Sequence, residues 1–243
     1  MSRLRVINLG LPKSGTTTLG RALKMAGLKV ADHRIRPRQT KNSDIHNAYV
    51  GDLVYRGYYQ TGDPLALLDE FDAISELNTL RDGHCLWPQT DFALLRAIRA
   101  HHPGTRFVAS HRDAFAMSQS MLAWSDMGMD RLPNSAIPGL PAGYGQTSAE
   151  RAQWITGHYA NLRDWFKDED VFLQFDITDE TAAEAISAHI GRELPWWGKA
   201  NKNRDLKSAA ATAKSTIRAA AKSAEKAARL ASEQSSKSGG AAA

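Results

Sequence analysis

The feature that most constrains this chain lies within its first 27 residues. Arg5-Val-Ile-Asn-Leu9 is a short run rich in β-branched side chains that stops at Gly10, as a buried strand does. Thr16 to Ala26 places Leu19, Leu23 and Met25 or Ala26 on one side of a helix that Gly27 closes. Between strand and helix stands Gly10-Leu-Pro12-Lys13-Ser14-Gly15. The glycines let the backbone curl until its N–H groups point inward at an anion. The helix N-terminus adds the positive end of its dipole. Lys13 supplies a mobile cation, and the hydroxyls of Ser14, Thr16, Thr17 and Thr18 supply further donors. A tight turn alone needs neither the lysine nor four hydroxyls, so the stretch reads as a loop for a phosphate-like anion.

The rest of the chain alternates strands with helices. Strands are expected at 28–31, 71–75, 106–110 and 171–175, and helices at 64–69, 91–101, 113–124, 148–166 and 179–189, the last capped by Thr178 or Asp179. Residues 127–145, with Pro133, Pro138 and Pro141, read as a loop or lid, and 34–62 as a variable loop. This order implies an α/β fold, a P-loop-like, mostly parallel sheet flanked by helices. The folded domain is expected over 1–204, followed over 205–243 by a basic tail rich in Ala and Lys that is helical or disordered.

Charge is divided the same way. From Lys199 onward ten basic residues face three acidic ones, so the net +5 of the chain belongs to its end and the remainder is slightly negative. Such a body is not a nucleic-acid-binding surface. In the tail, Lys214, Arg218, Lys222 and Lys226 recur every four residues, a stripe that suits either solvent or an anionic membrane surface. No run is long enough to span a membrane, no secretory leader is expected from residues 1–11, and Cys85, the single cysteine, is expected as a small buried hydrophobe. A cytoplasmic protein, in peripheral contact with the inner membrane surface if the stripe binds lipid, is the matching expectation.

The loop is not a Walker A motif, which sets its lysine directly after the last glycine. Here Lys13 precedes Ser14-Gly15 and nothing basic follows Gly15. Pro12-Lys13-Ser14-Gly15-Thr16-Thr17 resembles the 5'-phosphosulfate loop of sulfotransferases that use 3'-phosphoadenylyl sulfate (PAPS), a bacterial soluble member being the nearest likeness. Arg106-Phe-Val-Ala-Ser-His-Arg112, with Ser120 eight positions after the arginine, resembles the family's second element. Ala114 and Phe115 stand where many members have proline, so that match is partial. His158, Trp165 and Phe166, then Phe175, then Pro195 to Asn203 resemble later elements.

The resemblance implies a sulfotransferase fold over residues 4–204 and transfer of a sulfuryl group to a hydroxyl or amine without a metal. Pro12, Lys13, Ser14, Gly15, Thr16, Thr17 and Thr18 would hold the phosphosulfate, Arg112 and Ser120 the 3'-phosphate, Phe175 the nucleotide, and Lys199, Lys202 and Arg204 would neutralise charge. For the general base the family offers two places, which here hold His33 and His84. His33 is preferred because a residue at the C-terminal end of a sheet strand beside the loop faces the cleft. Asp32, Asp72 and Glu76 remain alternatives. A P-loop kinase or nucleotide phosphotransferase is the rival enzyme, and a nucleotide-binding module without catalysis is the rival from another class.

Overall fold

The computed structural model describes residues 3–200. Lys202, Arg204 and the basic tail lie outside them. Five strands form one sheet: β1 (Arg5–Asn8), β2 (Val30–Ala31), β3 (Ala73–Ile74), β6 (Thr105–His111) and β7 (Phe172–Asp176). Their spatial order is β2-β3-β1-β6-β7, and every neighbouring pair is parallel. Two short antiparallel strands, β4 (Thr79–Arg81) and β5 (His84–Leu86), form a separate hairpin. The fold is therefore α/β, with a parallel sheet flanked by helices.

Strand alternation decides which helix covers which face. Val6, Val30, Ala73 and Val108 point to one side, where α1 (Thr16–Met25) and α6 (Ala182–Ile190) bury Leu19, Leu23, Ile186 and Ile190 against them. Ile7, Ala31, Ile74 and Phe107 point to the other. There they meet α2 (Val50–Thr61), α3 (Phe92–His101), α4 (Ala114–Leu122) and α5 (Ser148–Trp165). Each leucine or isoleucine buried this way stabilises the fold by about 1.5–3 kcal/mol.

Several boundaries shift for identifiable reasons. Residues 50–61, expected as loop, form α2, with Val50, Leu53, Val54 and Gly57 buried at helical spacing. The two glycines that argue against a helix are there for contact, since a Cβ at Gly51 would stand 2.6 Å from the Leu77 carbonyl oxygen. Residues 64–69 shorten to a single 3-10 turn at Ala66–Leu68. Helix α6 starts after Thr181; Asp179 instead bonds the Thr181 N–H one turn earlier, and Thr178 donates to Asp176. Helix α5 is fixed by a capping box between Thr147 and Glu150. The segment 127–145 contains a π turn at Met127–Arg131 and a tight bridge between Ile137 and Leu140.

Cys85 departs from expectation. It lies exposed on the hairpin, its thiol 3.4 Å from the Ala136 carbonyl oxygen. Among the described residues no helix is long and apolar enough to cross a membrane.

The sheet edge above β1 is tied together by one side chain. Asn8 is fully buried. Its Oδ1 accepts from the backbone N–H groups of Gly10 and Ser110, both at 3.1 Å, and its Nδ2 donates to the Ser75 carbonyl oxygen at 2.9 Å and to Ser110 Oγ at 3.2 Å. Replacing it by leucine strands these partners in a dry interior. Asn8→Leu is expected to lower unfolding free energy by about 3 kcal/mol; urea denaturation monitored by circular dichroism measures it.

Candidate functional site

In a parallel sheet the crevice opens beyond the strand C-termini, where neighbouring strands send their chains in opposite directions. Here that place is between β1 and β6. The chain leaves β1 through α1 toward β2, and leaves β6 through α4 and α5 toward β7. The loop 10–15 and the turn carrying Arg112 therefore share one crevice.

The loop is built from its own polar groups. Ser14 Oγ is 2.7 Å from Ser110 Oγ, and the Leu11 N–H donates to the Tyr159 hydroxyl at 3.1 Å, which donates in turn to the Ser110 carbonyl oxygen at 2.7 Å. His158 Nε2 lies 2.9 Å from the Leu9 carbonyl oxygen. Gly10 must be glycine, because a Cβ there would sit 2.6 Å from the Ser110 carbonyl oxygen. Gly15 has φ 114°, open to glycine, and its Cβ would lie 2.4 Å from Ile177 Cγ1. Lys13 holds φ 70° without being glycine, a left-handed conformation that costs on the order of 1 kcal/mol. This bend takes its side chain across the ring of Trp124, with Nζ 3.6 Å from the centroid.

The hydroxyls expected to meet an anion are divided in their duties. Ser14 is buried and spent on Ser110. Thr16 Oγ1 donates to Glu76 Oε2 at 2.9 Å, and Thr18 Oγ1 accepts from the Ala200 N–H at 3.3 Å. Thr17 is exposed, and Pro12 is buried at the bend. The N-cap of α1, Gly15, provides no side-chain cap to the first turn.

Two cations adjoin this turn. Among the described residues nothing forms a hydrogen bond or ion pair with Lys13 Nζ. Burial pulls the Lys13 pKa down to about 8; the Glu76 carboxylate opposes the shift and the Arg112 guanidinium adds to it. Arg112 is itself partly desolvated, and its Nε is buried without a partner among the described residues. Ser120 is buried two turns into α4.

Of the candidate bases, His33 is the one that meets the loop's neighbours. Its Nδ1 is 3.1 Å from the Asn78 carbonyl oxygen, which fixes the proton on Nδ1 when the ring is neutral and leaves Nε2 as the basic nitrogen. Glu76 Oε1 stands 3.7 Å from the same Nδ1. His84 is exposed on the hairpin, and its ring contacts Tyr49, which also contacts His33. Asp32 is occupied by Ser75 and Lys24, and Asp72 by Arg3 and the Lys29 N–H at the other end of the strands.

The remaining expected residues are more dispersed. Phe175 packs into the core under α1 and α6, with Trp197 at its edge. Lys199 is exposed, and the adjacent Ala200 holds its segment against the first turn of α1. Lys202 lies outside the described residues. Sequence reasoning missed Asn8, Ser110 and Tyr159. Only Asn8 carries a signal, as the one polar residue inside an apolar strand.

Searches against protein-family profiles and against curated proteins found no match to this chain.

The Lys13 environment is open to direct measurement. In competitive acylation read by mass spectrometry across neutral and alkaline pH, Lys13 is expected to reach half its limiting reactivity at about pH 8. Removing the like charge with Arg112→Gln is expected to raise that midpoint, and Glu76→Gln to lower it.

Proposed function

We propose that this chain is a sulfotransferase of P-loop-like fold that takes its sulfuryl group from PAPS and passes it to a hydroxyl or amine acceptor. The observation that carries the reading is the pairing of Lys13 with Arg112 across one crevice, both with donors unspent within the described protein, beside an uncapped helix N-terminus. Three such donor sets suit a ligand with two separated anionic groups, as the donor has in its 5'-phosphosulfate and its 3'-phosphate.

The donor brings a sulfur already bonded to its 5'-phosphate. Transfer forms a bond from the acceptor oxygen or nitrogen to sulfur, breaks the bond from sulfur to the bridging oxygen, and leaves the electron pair on that oxygen. Lys13 and the N–H groups of the α1 first turn stabilise the charge that builds there. Arg112, with Ser120 behind it, orients the 3'-phosphate through its planar fork. His33 Nε2 takes the acceptor's proton, Asn78 holds the ring by its Nδ1–H, and Glu76 at 3.7 Å stabilises the imidazolium that results. This assignment gives the chemistry to His33 and leaves His84 to the rim.

Calorimetric titration with adenosine 3',5'-bisphosphate in the absence of metal tests the reading. Binding is expected, with Lys13→Ala and Arg112→Ala each weakening it by about tenfold or more, while His33→Ala leaves it within about twofold. If ATP with Mg²⁺ binds and the bisphosphate does not, the sulfotransferase reading falls and the kinase reading replaces it. Binding of the bisphosphate and of PAPS with no transfer to any acceptor would mark a non-catalytic module.

A further inference from the structure

Lys13 ends a long, flexible side chain, and a desolvated ammonium needs something to hold both its position and its charge. Among the described residues no hydrogen bond or ion pair does so. Glu76 acts from a distance, with its Oε2 engaged by Thr16 Oγ1 at 2.9 Å, and Arg112 repels. What Nζ touches is an indole: it lies 3.6 Å from the centroid of the Trp124 ring.

Core packing does not account for where Trp124 stands. The residue is 43% exposed and is part of neither hydrophobic cluster on the two faces of the sheet. Its backbone, by contrast, is fixed at the end of α4. The Trp124 N–H donates to the Met121 carbonyl oxygen at 3.2 Å, and the Trp124 carbonyl oxygen accepts from the Met127 N–H at 3.1 Å. The next residue, Ser125, has φ 51°, a left-handed conformation that favours glycine. The π turn beyond it is pressed against α4, since a Cβ at Gly128 would stand 2.8 Å from Leu122 Cα. Arg131 ties the same turn to the Asp126 carboxylate and to the Leu80 carbonyl oxygen of the hairpin.

Two non-glycine residues in left-handed backbone, Lys13 and Ser125, thus flank a single side-chain contact. Strain of this kind persists where the surrounding structure over-determines it, and it collects at functional sites. The chemistry of the contact suits an anion site. A carboxylate partner would neutralise the ammonium, and an arriving anion would have to displace it. The face of an indole attracts the cation through its quadrupole and brings no negative charge, so the lysine keeps its charge for a ligand on its other side.

We propose that Trp124 is a positioning residue for Lys13: its ring holds the ammonium at the crevice, in place for an anion, without itself touching that anion. The inference rests on the proposed reading of residues 10–15 as an anion-binding loop, and it does not require the anion to be PAPS.

The test titrates inorganic pyrophosphate, a pair of linked tetrahedral anions without a nucleotide, into the full chain by calorimetry in the absence of metal. Trp124→Leu is expected to weaken binding by about fivefold. In a Lys13→Ala background the same substitution is expected to change affinity by less than about twofold, because the ring then has no ammonium to hold. Trp124→Phe, which keeps an aromatic face, is expected to fall between the native protein and Trp124→Leu. The ligand-free native protein gives a second readout that needs no variant at position 124 to fold. With lysine labelled at its ε carbon, NMR is expected to show the Lys13 ε protons upfield of the other lysines, shifted by the ring current of Trp124. Lys13→Ala identifies that signal by its loss.

Native affinity in the Trp124→Leu variant overturns the proposal. So does an equal loss in the Lys13→Ala background, which would put the ring on the anion itself, and so does a Lys13 signal among those of the other lysines. Pyrophosphate binding that shows this coupling, with no binding of adenosine 3',5'-bisphosphate, would end the transferase reading and leave the inference standing. No binding of either anion overturns both.

Discussion

A single buried amide organises the end of the sheet. Asn8 closes β1 and spends its acceptor on Gly10 and Ser110 and its donors on Ser75 and Ser110. It thereby joins the ends of β3, β1 and β6 to the start of the loop. An apolar residue there would pack as well against the sheet, but it would leave the carbonyl and N–H groups at three strand ends without partners. Buried polar networks of this kind specify one geometry, because any other arrangement leaves donors or acceptors unsatisfied in a low-dielectric interior. The strained backbone of Lys13 is tolerable only because this scaffold, with Ser14 on Ser110 and Tyr159 on Leu11, fixes the residues around it.

The same network explains the division of labour within the loop. The groups that face inward, Ser14 and the backbone of Leu9 and Leu11, are satisfied by Ser110, His158 and Tyr159. Burial pulls the His158 pKa down to about 4, so the ring is neutral near pH 7 and its Nε2–H is available to donate to Leu9. Other groups keep their donors: Lys13 Nζ and the buried Arg112 Nε have no hydrogen-bond partner among the described residues, and the N-cap of α1 has no side-chain cap. A loop rigid on one side and unspent on the other is preorganised, so binding an anion would not have to pay again to order it.

Much of this was legible in the residues, and the rest was hidden for physical reasons. Alternating strands and helices gave the parallel sheet, and the strand–loop–helix placed Lys13 at its crevice, while Arg112 was legible through the resemblance of the strand that precedes it. Helix α2 was obscured because Gly51 and Gly57 look like breakers, while the backbone contacts that demand them, with Leu77 and with Asp63 just beyond the helix end, appear only once the chain is folded. The hairpin of β4 and β5 was obscured because each strand has only three residues and one side is exposed. Cys85 follows from that, since composition favours burial of a lone cysteine and only the hairpin's position puts it outside. The hydroxyls of the loop were read as a uniform set of donors. Which of them turns inward depends on Ser110, Glu76 and Ala200, none of which periodicity can place beside the loop.

The charge balance at the crevice follows from where Glu76 stands. Lys13 has its pKa pulled down to about 8. Burial and Arg112 both push it toward discharge, and Glu76 is the group that opposes them. Yet Glu76 also holds Thr16 Oγ1 at 2.9 Å and lies 3.7 Å from His33 Nδ1. One carboxylate therefore opposes discharge of the lysine and fastens the first turn of α1. An anion bound between Lys13 and Arg112 would take over the first of these duties, because its own charge raises the lysine's affinity for a proton.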